Sequence, residues 1–401
     1  MNPWYDAELN VENIIRLDEE KADPTFVRNV LDSLIHTPII MRYAEEHIIS
    51  NHQALASWLF HAWLGFPNSQ QKGEQDEASG NDSIILTSGR KEGILRVYEA
   101  LLKPGDVMIT MNSLDTYIVE KIKSCGAVAV QLSIQNDKGW AQFESLLLTN
   151  PPAFVHIRVE DNQSAYAVKG SGGLVVESEF VRFIKLLHHR DIPILVEWER
   201  NEAPLFNEEE RRTSLYNICQ DSGFEKRIEI GSLAEHGLSL GWVRGEESWI
   251  SHLGLLSNVQ ERRLKIRGPQ LADPEVLLAP DFSWRKYASA LNREYRSRQA
   301  EALAWLEDGG GVLATAFKHQ PPGSGRYLWG TLPEGWDSAA LLRAARIHGA
   351  TFHVGAVDLA SAAEPSRTLR LSVAAVSRER LQVGLARIAA AAAEFTARWD
   401  V

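Results

Sequence analysis

Cysteine is scarce in this chain, basic tracts are missing, and no apolar run is long. Two cysteines occur in 401 residues, Cys125 and Cys219. Both sit in ordinary apolar contexts without metal-ligand spacing. This excludes a disulfide framework and a cysteine-held metal, and predicts buried reduced thiols. No stretch reaches the roughly 18 apolar residues that a membrane span needs. The start, MNPWYDAELN, lacks the basic and apolar pattern of a secretion signal, so a cytoplasmic protein is expected. Lysine and arginine number 42 against 53 acids, a formal charge of −11. A field of that sign repels nucleic acid, and no clustered lysines or arginines offset it. The twelve tryptophans are scattered and suit core and interface packing better than a base-stacking strip. The pair His188-His189 closes a predicted helix and has no second ligand pair, so no metal site is expected.

What is present is a long α/β chain, with enough hydrophobic residues (44%) to bury a large core in two lobes. Residues 12 to 65 read as mostly helical, and Pro67 to Asp82 as a polar surface loop. Apolar strands are predicted at Ser83 to Thr87, Val107 to Met111, Ala127 to Leu132, Ala153 to Val159 and Ile192 to Val196. Helices at Lys91 to Leu102 and Glu177 to His188 lie between some of them. This alternation implies a largely parallel sheet covered on both faces. From about Ser283 the pattern changes to a long charged helix, Tyr287 to Leu306, broken by Gly309 to Gly311. Strands at Val312 to Phe317, Tyr327 to Leu332, Thr351 to Val354 and Leu369 to Val373 follow, with helices at Ser338 to His348 and from Arg378. That order fits a smaller α+β lobe. The expected domains are 1–50 (an arm and part of the small lobe), 51–282 (the large domain) and 283–401 (the small domain).

The segment ILTSGRKEGILRVYEALLKPGDVMIT resembles the part of fold type I, class I/II aminotransferases in which a strand ends in Thr-Ser-Gly and the next helix accepts the phosphate of pyridoxal phosphate. GRYLWGTLPEGWDSAALLRAARIHGATFHVG and LRLSVAAVSRERLQVGLARIA are similar to small-domain segments of the subgroup with aminoadipate aminotransferases and the effector lobes of MocR-type regulators. The winged helix of those regulators has no counterpart, which disfavours a transcription factor. The resemblance implies an aspartate-aminotransferase-like large domain with a mostly parallel, seven-stranded-type sheet, a smaller α+β C-terminal domain, and a homodimer.

Transferred position by position, the family's site keeps some groups and loses others. Ser88, Gly89 and Arg90 match the phosphate cup, where N–H groups and a helix N-terminus receive an anion. Ser232 matches the assisting hydroxyl of the anchoring loop. Ser239 stands where the family often has an arginine, and losing one charge-assisted hydrogen bond of about 1.5–3 kcal/mol weakens binding roughly ten- to a hundredfold. Glu197 aligns with the acid that pairs with the pyridine nitrogen. Tyr117 lies two residues beyond Asp115, which occupies the expected place of the ring-stacking aromatic. Lys169 aligns with the asparagine that contacts the ring hydroxyl. Arg370 matches the small-lobe arginine that grips the substrate carboxylate in a bidentate fork.

The largest departure is in GSLAEHGLSLGW. It resembles the cofactor-anchoring loop shortened and without the Schiff-base lysine, which in the family both tethers the aldehyde and moves the α-carbon proton. Glu235 and His236 occupy the shortened loop. The sugar dehydratases of this superfamily are similar in using histidine there, so His236, Glu235 and Lys169 are the candidate catalytic groups. The cofactor expectation is pyridoxal phosphate held non-covalently or absent, with no metal. Three readings stay open: an atypical biosynthetic enzyme performing elimination, cyclisation or condensation on an amino-acid-derived carboxylate; a catalytically silent homologue that binds a small carboxylate or partners an active paralogue; and an aminotransferase with a relocated lysine.

Overall fold

The computed structural model describes residues 14–19, 22–35, 54–56, 58–59, 82–111, 114–132, 134, 137–160, 177–199, 223–238, 240–253, 274–318, 326–354 and 367–399. In chain order the elements are β1 (Ile15–Arg16), α1 (Pro24–Leu34), β2 (Asp82–Thr87), α2 (Arg90–Leu101), β3 (Val107–Thr110), α3 (Thr116–Ser124), β4 (Val128–Gln131), α4 (Asp137–Thr149), β5 (Val155–Glu160), α5 (Glu177–His189) and β6 (Ile194–Glu199). Then come β7 (Arg227–Ser232), β8 (Gly241–Glu246), α6 (Glu247–His252), α7 (Trp284–Gly309), α8 (Val312–Ala316), β9 (Tyr327–Thr331), α9 (Ser338–Ile347), β10 (Ala350–Thr351), β11 (His353–Val354), β12 (Thr368–Ser372) and α10 (Arg378–Trp399). The chain forms two compact units, one of residues 31–288 with 356–361, the other of residues 1–30, 289–355 and 362–401. Among the described residues no helix is long and apolar enough to cross a membrane.

The larger unit holds a seven-stranded sheet in the order β2-β8-β7-β6-β5-β3-β4. β8 runs antiparallel to both its neighbours, and the remaining pairings are parallel. This is the α/β architecture expected. The five strands predicted here from the sequence all form, with ends shifted by up to three residues. Parallel strands need covering on both faces, and two apolar clusters supply that cover. One joins Phe143, Phe183, Ile184 and Leu187 to Ile157 and Val196. The other joins Ile94, Val97, Tyr98 and Ile118 to Leu195, Ile230 and Val243.

Helix α2 decides what faces the sheet. Its buried residues are Arg90, Gly93, Ile94, Val97 and Tyr98, the i, i+3, i+4, i+7, i+8 spacing of a single stripe. Gly93 lets the helix approach closely, because a Cβ there would sit 3.0 Å from both the Ile230 and Val243 side chains. Arg90 therefore enters the interior as the first member of an otherwise apolar stripe.

In the smaller unit, β1 pairs with β10 in parallel, and β11-β12-β9 form an antiparallel sheet. Its core packs Leu328, Leu369 and Leu371 against Leu341, Leu385 and Ile388. Two expectations are corrected here. Val312 to Phe317 is not a strand: Gly311, at φ +53°, restarts the chain as the short helix α8. Leu313 and Ala316 then bury one helical face, and the Thr315 hydroxyl returns to the Val312 carbonyl at 2.8 Å. Thr351 to Val354 is not one strand but the end of β10 followed by β11, split at the buried Phe352 so that the halves pair in different sheets.

Candidate functional site

Strands β5 and β6 bring the polar centre of the larger unit together. Arg158 lies opposite Glu197 in the parallel register, so both side chains leave the sheet on one face, and His156, two residues earlier, shares it. Polar side chains at alternate positions of a buried strand must find partners among themselves. Arg158 donates from Nε to Glu197 Oε2 at 3.1 Å and from a terminal nitrogen to Asp115 at 3.1 Å. His156 Nε2 lies 3.2 Å from the same Glu197 oxygen. Arg90 Nε, arriving from α2, lies 3.1 Å from the other oxygen, Oε1. Glu197 has no solvent exposure, Arg90 6% and His156 1%.

Burial alone would raise the Glu197 carboxyl, but the charges of Arg158 and Arg90, then the contact with His156, hold it well below the usual carboxylate range. Tyr98, one turn beyond Ile94 on the same α2 stripe, has its hydroxyl 2.9 Å from His156 Nδ1. Burial pushes the phenol well above its ordinary value, with Glu197 and Tyr117 adding to the effect. The hydroxyl therefore keeps its proton at neutral pH.

The cup follows β2. The Ser88 N–H and hydroxyl each donate to Glu92 Oε2 at 2.7 Å, and the other Glu92 oxygen pairs with Arg96. Burial would raise the Glu92 carboxyl, yet the two bonds from Ser88 and the Arg96 charge hold it below its ordinary value. Gly89 is fixed by its neighbours: the Thr87 hydroxyl donates to its carbonyl at 3.0 Å, and a Cβ on Gly241 of β8 would come within 2.5 Å of both its carbonyl carbon and Thr87 Oγ1. The Lys91 ammonium lies 4.9 Å from the centre of the Tyr117 ring, within cation–π range.

The β7–β8 connection is tight. Ser232 Oγ accepts from the Ala234 N–H at 3.0 Å and donates to the Leu240 carbonyl at 3.3 Å, and Leu233 N–H donates to the same carbonyl at 2.7 Å. A 3-10 turn, Ala234–His236, ends at Gly237 with φ 75°, while Leu233, Leu238 and Leu240 are fully buried. His236 is 2% exposed. Its ring packs 5.0 Å from that of Trp284, and its carbonyl accepts a hydrogen bond from the Tyr287 hydroxyl.

Of the residues singled out in the sequence, Arg90, Glu197 and the previously noted Asp115 are joined in one buried cluster. Ser88 and Gly89 form the adjoining turn, and Ser232 and His236 lie in the β7–β8 connection. Arg370 belongs to the smaller unit, on β12, with its guanidinium 4.3 Å from the Tyr327 ring centre and 5.5 Å from that of Trp329. Lys169, Ser239 and the Glu235 side chain lie outside the described residues. Sequence reasoning missed His156, Arg158, Tyr98 and Glu92. The signal for the first two was present in VHIRVE: a histidine and an arginine at period two, alternating with Val155, Ile157 and Val159.

No protein-family model matches the chain, and no curated protein matches it by sequence. Solved structures do match in shape. The α-aminoadipate aminotransferase of Thermus thermophilus, complexed with N-(5'-phosphopyridoxyl)-L-leucine, superposes with a TM-score of 0.66 at 17% identity, over 96% of this chain and 94% of that one. The chain has an aminotransferase fold. The multiple substrate aminotransferase of Thermococcus profundus gives 0.66 at 16% identity, over 99% and 96% of the two chains. The kynurenine aminotransferase of Pyrococcus horikoshii, in complex with PMP, gives 0.64 at 17% over 96% and 92%.

Pyridoxal phosphate, the cofactor this fold implies, makes three non-covalent demands: donors for a phosphate, an acid for the pyridine nitrogen, and an aromatic face. Ser88 already gives its N–H and hydroxyl to Glu92, and Glu197 is already charge-paired with Arg90 and Arg158, although its Oε1 accepts no hydrogen bond among the described residues. A pyridinium would add a further positive charge beside Arg90 and Arg158. As they stand, these residues do not fit the cofactor. Among the described residues no group of histidine, cysteine or acidic side chains could hold a metal.

Proposed function

We propose that this is an aminotransferase-fold protein that binds a small carboxylate or amino-acid-derived ligand and does not carry out lysine-dependent transamination. The observation that carries the proposal is the β7–β8 connection. It holds no lysine between Gly231 and Trp242, and three buried leucines fill it, closed by the Leu233 to Leu240 hydrogen bond. Proton transfer at an α-carbon needs an amine or another base within reach of the substrate. The imidazole in this connection packs against Trp284 instead. Arg370 supports the ligand class: its guanidinium, 4.3 Å from the Tyr327 ring centre and 5.5 Å from that of Trp329, is the donor group suited to bidentate capture of a carboxylate. The setting implied is a cytoplasmic homodimer, a stoichiometry that light scattering of the purified chain measures.

Incubating the protein with pyridoxal phosphate, reducing with borohydride and mapping the peptides tests the reading. No lysine is expected to carry a reduced adduct in stoichiometric yield. A single fully labelled lysine would establish a relocated anchor and overturn the proposal. Ligand capture is read separately by thermal shift against small mono- and dicarboxylates. Arg370→Lys is expected to abolish a shift seen with the parent chain, and a shift of the same size in both proteins counts against Arg370 as the binding group.

A further inference from the structure

The three residues that open α2 are Arg90, Lys91 and Glu92, and successive residues of a helix point about 100° apart. Each meets a different anchoring point. Arg90 stands 3.1 Å from Glu197 Oε1, where a pyridine nitrogen would pair. Lys91 stands 4.9 Å from the centre of the Tyr117 ring, the aromatic two residues beyond the place where the resemblance puts a ring-stacking side chain. Glu92 accepts both the N–H and the hydroxyl of Ser88 at 2.7 Å, where a phosphate would be received. We infer that the first turn of α2 is a plug supplied by the chain itself: Arg90, Lys91 and Glu92 stand in for pyridinium, ring and phosphate, and turn the cofactor cradle into a structural ion cluster.

Charge balance supports this. Arg90 and Arg158 carry two positive charges, Glu197 and Asp115 two negative ones, and the four are linked by ion pairs, with Asp115 at the half-buried end. Among the described residues these four charges balance, and a buried ion cluster whose charges balance gains little from a further ion. Glu92 supplies the anion that the N-terminus of α2 favours, and a second anion there must displace a carboxylate bonded twice to Ser88. The inference deepens the proposed function, since it removes the non-covalent route by which the cofactor could enter the same cradle.

The test uses the full purified chain and three probes, inorganic phosphate, pyridoxal phosphate and pyridoxal, in equilibrium dialysis with thermal shift alongside. For the parent chain neither phosphate nor pyridoxal phosphate is expected to saturate below about 1 mM, the weak end of the affinity scale. Glu92 is only partly buried, so Glu92→Ala and Glu92→Gln are expected to retain the fold, which circular dichroism of each variant checks. Glu92→Ala is expected to tighten phosphate by at least about tenfold, the equivalent of one charge-assisted hydrogen bond regained. Glu92→Gln, which keeps an acceptor but not the charge, should gain less. Pyridoxal, which has no phosphate, should respond to neither. Parent-chain binding of pyridoxal phosphate in the micromolar range with no borohydride-reducible adduct overturns the plug, as does phosphate affinity unchanged in Glu92→Ala. The phosphate arm contains no aldehyde. A covalently anchored cofactor would therefore sink the proposed function, whereas an unresponsive Glu92 variant sinks this inference.

Discussion

Substituting Glu197 with glutamine removes one charge from the buried cluster and nothing from its volume. Arg90 and Arg158 then face each other across a neutral amide at sites 6% and 7% exposed, without the carboxylate that each contacts at 3.1 Å. Breaking a buried ion pair by removing one partner typically destabilises by about 3–5 kcal/mol. The expected loss for Glu197→Gln lies in that range, because two guanidiniums lose a partner while the amide oxygen still accepts from one. Pairing it with Arg90→Met removes the surplus charge and should recover roughly 1–3 kcal/mol, a coupling that a double-mutant cycle isolates. Urea unfolding followed by tryptophan fluorescence measures both, read on the transition that moves, since two units need not unfold together. The pH dependence has a definite sign. The folded-state carboxyl is held below its unfolded value, so its contribution is present above about pH 4.3 and is lost as acid is added through and below that point. The parent chain should lose stability faster than Glu197→Gln as pH falls from 5 to 3, two pH settings spanning that ordinary glutamate value. A loss under about 0.5 kcal/mol, the size of an ordinary surface change, with parallel acid limbs would refute the description of the cluster as an interdependent set of buried charges.

Three further outcomes are expected. Tyr98→Phe deletes the buried hydroxyl bonded to His156 at 2.9 Å; a loss of about 1–3 kcal/mol in urea unfolding is expected, and no change would remove Tyr98 from the network. Gly241→Ala drives a Cβ to 2.5 Å from the Gly89 carbonyl carbon, backbone that cannot swing aside, and should destabilise by about 1–3 kcal/mol, visible as a lowered thermal midpoint; an unchanged midpoint would show that β2 and β8 can separate freely there. Asp337 caps α9 by accepting from the Ala339 N–H at 2.8 Å, so Asp337→Ala should lose about 1 kcal/mol, whereas Asp337→Asn, checked in the same unfolding assay, should lose little.

The large sheet was legible because its strands are short apolar runs bounded by glycine, proline and polar residues, and β2 to α2 carries its turn in plain letters, Thr-Ser-Gly. The break at Val312 was not. VLATAF has the apolar, β-branched look of a strand, and only the preceding left-handed glycine and the burial of Leu313 with Ala316 make it helical. At the site, resemblance identified Glu197, Ser88 and Arg90 by position but gave no notice that they were already engaged. Arg90 and Glu197 are more than a hundred positions apart in the chain, and whether a cation in a family's phosphate cup turns inward depends on which face α2 buries. That face could be read only once Gly93, Ile94, Val97 and Tyr98 were seen as one stripe. Glu92 is a four-residue hydrogen-bond return to Ser88, a local arrangement that composition alone does not distinguish from a solvated acid.

Among the described residues, strand β2 lies at one edge of its sheet and pairs only with β8. On the ribosome, Asp82 to Thr87 emerges long before Gly241 to Glu246 exists, and at about 5–20 residues per second the wait is on the order of ten seconds. Throughout that interval the early strand has no sheet partner, so the turn carrying Ser88 and Gly89 is assembled among the last parts of its unit. A nascent chain stopped short of Gly241 would leave a row of backbone donors and acceptors bare, the kind of edge that recruits neighbours into aggregates. Long-range closure of this sort also slows refolding, which makes the reversed strand the step to watch when the protein is renatured from denaturant.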